Sequence, residues 1–324
     1  MCARFVFDRR RSSQPGRGRR DRISRVARAA SAEPRRDRVS RMQTGGGWSL
    51  DGRGIMDDLY IMGYSEAVLR ILSSRTVESS CASLTPYLKP GLRVLDVGCG
   101  PGSISVGLAQ ATAPGELRGI DIEPPQVELA VQAPAERGLG NAEFSVADVQ
   151  AMPFEDGWFD VVHCGDLLAF VPETGAALRE IRRVLKPGGV LFCREIIMDS
   201  FLIHPDPHPQ LLARGYAVFA DLLEADDGHP QMGKELGGHL ELAGFADIRV
   251  SAAFDVFSGP ERLKLMYDLG NQWYFTPDVA APAAQYGVAT NAMIDEIRQA
   301  RNIWYRSPGA LAAFAYGEAL AVRP

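Results

Sequence analysis

The stretch Val94-Leu95-Asp96-Val97-Gly98-Cys99-Gly100-Pro101-Gly102 decides how the rest of the chain is read. Residues 92–97 are largely apolar, broken by Arg93 and Asp96, and predict a short buried strand. Three alternate glycines end it. Residues 103–110 then space Ile104, Val106, Leu108 and Ala109 as the apolar side of a helix. A strand, a glycine turn and a helix start together suit a polar ligand. Glycines let backbone N–H groups come close, and the first turn of a helix has donors without intrahelical partners. A tight turn with no ligand fits the same pattern, so the residues beyond the loop have to decide.

Beyond the loop comes an acid. Leu117-Arg118-Gly119-Ile120-Asp121 predicts a second strand, and Asp121 stands 19 positions after Gly102. An acid about 20 residues past a glycine turn is the group with which nucleoside-binding α/β units hold ribose hydroxyls. Glycine spacing then separates two ligand classes. A dinucleotide loop needs G-x-G-x-x-G. Here Ser103 stands where the last glycine belongs, and the chain reads D-x-G-x-G-x-G with Pro101 inside the turn.

Further strands are predicted at 143–146, 158–163, 190–194, 246–251 and 316–322. Helices are predicted at 56–71 with a break at Gly63, at 75–88, from Pro124-Pro125 to a kink or end at Pro134, and at 176–185, 232–243 and 291–305. Strands alternating with helices at this spacing imply a parallel sheet covered on both faces. After Glu195 the alternation lapses. One long connection carries His204, His208 and His229, and another carries Trp273-Tyr274-Phe275. Connections of that length in a compact fold are usually functional. None of the histidines has metal-ligand spacing.

Together these pieces resemble the class I S-adenosylmethionine-dependent methyltransferases, in the type-11, ubiquinone-biosynthesis-like branch and among its secondary-metabolite members. The resemblance runs from about Met56 to the C-terminus. It implies a Rossmann-like α/β fold: a seven-stranded, mostly parallel sheet, helices on both faces and an antiparallel last strand. It makes Asp96, Gly98, Cys99, Gly100 and Gly102 the cofactor loop, and Asp121 with Ile122 the ribose site. Asp148-Val149, followed by Met152-Pro153-Phe154, resembles the adenine-binding turn, and Cys164 joins the cofactor side. Phe159-Asp160-Val161-Val162 and Leu185-Lys186-Pro187-Gly188-Gly189 match the fourth strand and the turn before the fifth. Tyr60-Ile61-Met62-Gly63-Tyr64-Ser65 resembles a lid helix, in which Tyr60 anchors the cofactor and Tyr64 reaches the acceptor. Both tyrosines also fit plain packing of an amphipathic helix.

This sequence departs from the branch after the fourth strand. Cys164-Gly165-Asp166 and Ala169-Phe170 stand where Ser-Asn and a His pair are usual. The reaction implied is attack by an O, N or C nucleophile of an apolar or aromatic small molecule, secondary-metabolite or quinone-like, on the cofactor methyl. A hydroxyl acceptor would need a base, and His163 and Asp166 are the candidates. Arg194 and Glu195 end the fifth strand at the ligand-facing edge, open to an ion-pair or a catalytic role. A methyltransferase fold that catalyses a cyclisation is the alternative, with a nicotinamide oxidoreductase disfavoured by the glycine spacing.

Composition bounds the partners. Residues 1–54 hold 15 Arg against five acids, while the whole chain carries −5, so the remainder carries −15. That balance argues against nucleic acid as a partner. Residues 1–54 read as a disordered basic tail, a transit peptide or the product of a misplaced start upstream of Met42 or Met56. Residues 55–324 read as the methyltransferase domain with N-terminal lid helices. The five cysteines form no C-x-x-C pair, which suits free thiols in a reducing, cytoplasmic compartment and no metal. No apolar run is long enough to span a membrane. A homo-oligomer stays open.

Overall fold

Apolar residues on both sides of β1 (Val94–Val97) bury all four of its positions, as a central parallel strand requires. The computed structural model describes residues 66–208 and 210–324, so Tyr60, Tyr64 and the basic stretch 1–54 lie outside the described residues. Five strands run parallel: β1, β2 (Leu117–Asp121), β3 (Ala142–Val146), β4 (Phe159–Gly165) and β5 (Leu185–Ile196). Three more follow: β6 (Leu202–His204), β7 (Ala246–Ser258) and β8 (Leu311–Val322). The order is β3-β2-β1-β4-β5-β8-β6, with β7 also pairing β8, and β8 is antiparallel to each of its neighbours. The Rossmann-like sheet therefore forms, with an eighth strand where seven were expected. β6 is too short to show in the sequence, and it pairs the start of β8 at Leu311 to Ala313.

Helices cover both faces. α1 (Glu66–Ser73), α2 (Val77–Ser80) and a 3₁₀ segment (Ala82–Tyr87) precede the sheet. The single helix expected over 75–88 is broken. Thr76 and Ser79 form a reciprocal capping box that starts α2, Cys81 leaves helical geometry at φ −142°, and Pro86 cannot donate a backbone bond. α3 (Ser103–Thr112) and α4 (Pro124–Ala135) follow β1 and β2. α5 (Thr174–Val184), α6 (Leu211–Ala225) and α7 (Met232–Leu242) come later, then α8 (Gly259–Leu269), a π-helical turn (Gly270–Tyr274), α9 (Pro277–Gln285) and α10 (Asn291–Arg306).

Strand alternation assigns the core to two layers. Leu95, Val97, Val162, Cys164, Leu191 and Cys193 face the larger cluster, and Val94, Val161 and Phe192 face the smaller one under α2 and α3. β7 and β8 run longer than predicted. Ala312 to Tyr316 is buried throughout, so it shows no alternation to mark it as a strand. The extra length matters for the site. β5 and β8 pair last at Ile196 and Tyr316, so Leu311 to Ala315 of β8 overshoot the parallel strands at their C-terminal edge. β6, β7, α8 and, through Trp304, α10 pack around that overshoot.

α7 crosses β5 and β8 at unusually short range, made possible by glycine on both surfaces. A Cβ on Gly317 would stand 1.8 Å from the Gly233 carbonyl oxygen, and one on Gly233 would stand 2.4 Å from the Glu195 carbonyl oxygen. Both obstacles are backbone, which cannot turn aside. We predict that Gly317→Ala and Gly233→Ala each cost about 1–3 kcal/mol in denaturant unfolding. Wild-type stability in either variant would show that α7 is free to lift.

Candidate active site

The loop after β1 is fixed from β2. The N–H groups of Gly98 and Cys99 donate to the Ile120 carbonyl at 2.8 and 2.9 Å. Gly100 N–H donates to Asp121 Oδ2 at 2.9 Å, and Glu123 N–H donates to Asp121 Oδ1 at 3.0 Å. Asp121 is thus oriented by one bond on each oxygen, which leaves lone pairs for further donors. Burial raises its carboxyl above the ordinary range against the pull of those two N–H groups. Gly102, at φ +81°, begins α3, and a Cβ there would stand 2.9 Å from Ala130 Cα of α4. No other residue fits that turn.

Two observations fit this cradle to a polar cofactor. Gln126 of α4 is fully buried beside the loop, and neither atom of its side-chain amide has a partner. Ile122 is 38% exposed directly after Asp121, an apolar side chain open to a flat base. Asp148 takes the N–H of Gln150 on Oδ1 at 2.8 Å, which holds the turn after β3, and Val149 beside it is buried. Gln126 went unnoticed in the sequence. Its one signal is its place four residues before Ala130, on the helix face that meets the glycine turn.

Asp96 and His163 lie within the sheet rather than open to the loop. His163 Nδ1 stands 2.7 Å from Asp96 Oδ1, and the Ser105 hydroxyl donates to Asp96 Oδ2. The two side chains are 2% and 4% exposed, and the His163 ring stacks on Phe192. Burial alone would push His163 down, but the Asp96 carboxylate and a hydrogen bond with Cys81 hold it well above its usual range. Cys99 is buried in the loop, and burial raises its thiol. Cys164 is wholly buried on the other face, level with Cys193 and hydrogen-bonded to it. Among the described residues no three of His, Cys, Asp and Glu gather as a metal site.

Asp166 sits at the open edge, in a left-handed conformation at φ +51°. It is ion-paired with Arg75, and the Tyr316 hydroxyl donates to it at 3.4 Å while accepting from Arg75 Nη2 at 2.8 Å. Arg194 lies 3.4 Å over the Tyr316 ring and pairs with Asp255 at 2.9 Å. Arg194 and Glu195 do not pair with each other, because successive strand residues face opposite ways. Glu195 instead accepts the N–H groups of Leu167 and Leu168 on Oε1, at 3.1 and 2.9 Å, and of Ala169 on Oε2 at 3.2 Å. That holds the loop after β4 against the glycine loop, where a Cβ on Gly98 would meet Leu167 Cβ at 3.2 Å. Arg75, Leu167 and Tyr316 carry no local sequence signal, since each is brought here from a different element.

Rings continue the edge outward along the overshoot of β8. Phe201 stacks on Tyr216 at 3.8 Å between centroids and meets Phe314 at 4.9 Å. Phe257 stacks on Phe314, and Tyr216 meets Phe275 edge-on at 5.9 Å. Trp304 is buried, its indole N–H shared between the His204 and Leu311 carbonyls at 3.2 Å each, and Tyr305 stacks on Tyr267.

Glu195 gives a pH signature. Burial, with the charge of Asp166, pushes it up to about 8, against the opposing pull of its three N–H partners. A carboxyl that holds its proton more tightly when folded contributes fully below its ordinary value, and that contribution is lost as pH rises through 8. Wild-type protein should therefore lose more melting temperature than Glu195→Gln between about pH 5 and pH 9. Parallel melting curves in the two proteins would refute this.

Comparison with known proteins agrees with the geometry. The sequence profile of a family described as a methyltransferase domain matches residues 88–217. The probable methyltransferase ltbC of Aspergillus luteorubrus is 34% identical over 215 residues, covering 62% of this chain and 74% of that protein. Demethylmenaquinone methyltransferase of Geobacillus kaustophilus is 32% identical over 175 residues, covering 50% of this chain and 74% of its own. The crystal structure of the YcgJ protein of Bacillus subtilis shares the fold, with a TM-score of 0.51 at 17% identity over 75% of this chain and 97% of that one. No helix among the described residues is long and apolar enough to cross a membrane. The chain belongs to the class I S-adenosylmethionine-dependent methyltransferases.

Proposed function

We propose that this enzyme, through a domain spanning residues 55–324, methylates an apolar or aromatic small molecule of quinone-like or secondary-metabolite type. The observation that carries the reading is Phe201, half-buried beyond the C-terminal edge of β4 and β5 and backed by the buried rings of Tyr216, Phe314 and Phe257. In an open α/β sheet ligands bind at that edge. Rings there favour a flat apolar acceptor. The demethylmenaquinone methyltransferase among the relatives, by its name, acts on a quinone-related molecule.

S-adenosylmethionine supplies a methyl made electrophilic by its sulfonium. The protein's share is to orient two molecules and keep water out. We assign the ribose hydroxyls to Asp121 and the adenine to Ile122, Asp148 and Val149. The methionine end goes to the loop of Gly98, Cys99, Gly100 and Gly102, with Gln126 beside it. Asp96 supports that loop from beneath through His163. Where the acceptor nucleophile is a hydroxyl, Asp166 is our choice of base, on the edge that the rings continue. His163 is assigned to joining β1 and β4, and Cys164 to the core. Tyr60 and Tyr64 remain our lid candidates from outside the described residues.

Asp121→Ala should weaken S-adenosylmethionine binding by about 1.5–3 kcal/mol, the scale of hydrogen bonds to a charged group, in calorimetry. Unchanged affinity with the fold intact would remove Asp121 from the ribose site. Methyl transfer to a panel of phenols and quinols, set beside basic peptides and RNA, tests the acceptor class directly. Phe201→Ala should raise KM for the active phenol about 3- to 10-fold, as expected for one lost aromatic pair, and leave the S-adenosylmethionine KM alone. Activity on peptide or RNA with none on the phenols would overturn the acceptor reading.

A further inference from the structure

β7 is an open edge. Among the described residues it pairs with β8 alone, over 13 residues that contain neither Lys nor Pro. Its outward stripe is apolar: Val250, Phe254 and Val256 are 57%, 54% and 41% exposed. Natural sheets blunt long edges with charge, proline or a covering element, because unpaired N–H and C=O groups recruit another strand. β7 carries just three charges, Asp247, Arg249 and Asp255.

The order of those residues specifies what can pair there. β7 is irregular between Ala246 and Arg249 and regular beyond it. In an antiparallel pairing of that regular part with itself about a two-fold axis at Ala252, Val250 falls opposite Phe254 of the second copy. Arg249 then falls opposite Asp255, and symmetry repeats each contact. Neighbouring registers lose this match. An axis at Ser251 sets Arg249 against Ala253 and so takes it from Asp255, and an axis at Ala253 sets Arg249 against Phe257. A slip that places the axis between residues turns the apolar stripe toward the polar face. Both charges lie on the Arg194 side of the sheet, where Asp255 already takes Arg194 on Oδ1 and Arg249 reaches the Tyr87 hydroxyl at 3.1 Å.

We infer that β7 is a homodimer interface, in which two copies join their sheets edge to edge through antiparallel β7 strands centred on Ala252. The inference does not depend on the acceptor. It places the dimer axis at the edge farthest from β3, with β7 running on to flank the overshoot of β8 in each copy.

The test uses the full-length chain. Light scattering and sedimentation should show a concentration-dependent dimer. Val250→Lys and Phe254→Lys should raise its dissociation constant at least about tenfold, equivalent to 1.4 kcal/mol, without lowering the melting temperature. In a Cys2→Ser background, whose other four cysteines are buried, Ala252→Cys should form an interchain disulfide on mild oxidation. Val250→Cys and Phe254→Cys should do so efficiently only when mixed. A monomer at every concentration, a dimer that survives Phe254→Lys, or a dimer in which Ala252→Cys stays reduced would each overturn the proposal. So would a monomer whose β7 amides resist hydrogen exchange, since the chain itself would then cover the edge.

Discussion

A carboxylate buried in the middle of a sheet has to be answered, and at Asp96 the answer ties three elements together. His163 from β4 and Ser105 from α3 occupy both of its oxygens, with β1 holding the acid itself. Removing one partner of such a buried pair typically costs about 3–5 kcal/mol, because the other charge is left unpaired in a poor dielectric. The pair therefore fixes β1 beside β4 and sets the start of α3 relative to both. The glycine loop lies between those elements and takes its position from them. Its outer side is held separately, by Ile120 and Asp121 of β2.

The same device recurs two strands over, on β5, with a different purpose. Glu195 is buried without a cation at hydrogen-bond distance and accepts three backbone N–H groups of the loop after β4. A carboxyl group that accepts three backbone donors specifies the path of a loop more tightly than apolar packing can, since each bond has its own direction. That loop carries Asp166, and Leu167 rests on the glycine turn. The crossing of α7 over Gly233 and Gly317 closes in on the main chain at Glu195 itself. Glycine loop, the loop after β4 and α7 are in this way mechanically continuous.

The antiparallel β8 gives the C-terminal edge of the sheet its character. A parallel strand ends where its helix begins, but an antiparallel strand can run on past the edge. β8 does so over Leu311 to Ala315, with Phe314 on the added length and Phe257 on β7 beside it. Phe201, Tyr216 and Phe275 then come from the long connections to stack upon them. Phe314 adjoins Tyr316, so these buried rings run directly into the ionic cluster of Arg75, Asp166, Arg194 and Tyr316.

The sequence by itself determined the parallel half of the fold, the cofactor class and the residues of the glycine loop. Each is encoded locally, by a strand-length apolar run, a glycine spacing and an acid at a fixed distance. It also singled out the long connections after Glu195 as candidates for function without saying how. It misjudged the stretch 75–88, where capping at Thr76 and Pro86 broke an apparent helix, and it missed β6, which has too few residues to show a period. Tertiary structure alone decided the rest. It enclosed His163 with Asp96, turned Cys164 toward the core, and set Arg75 and Tyr316 beside Asp166 although they are 241 positions apart. Side-chain direction at a strand's end depends on which neighbour occupies each face, and pairing partners distant in sequence leave no periodic trace. Local chemistry could name the cofactor loop, but only packing could say which polar groups face solvent, which face a ligand, and which hold the sheet together.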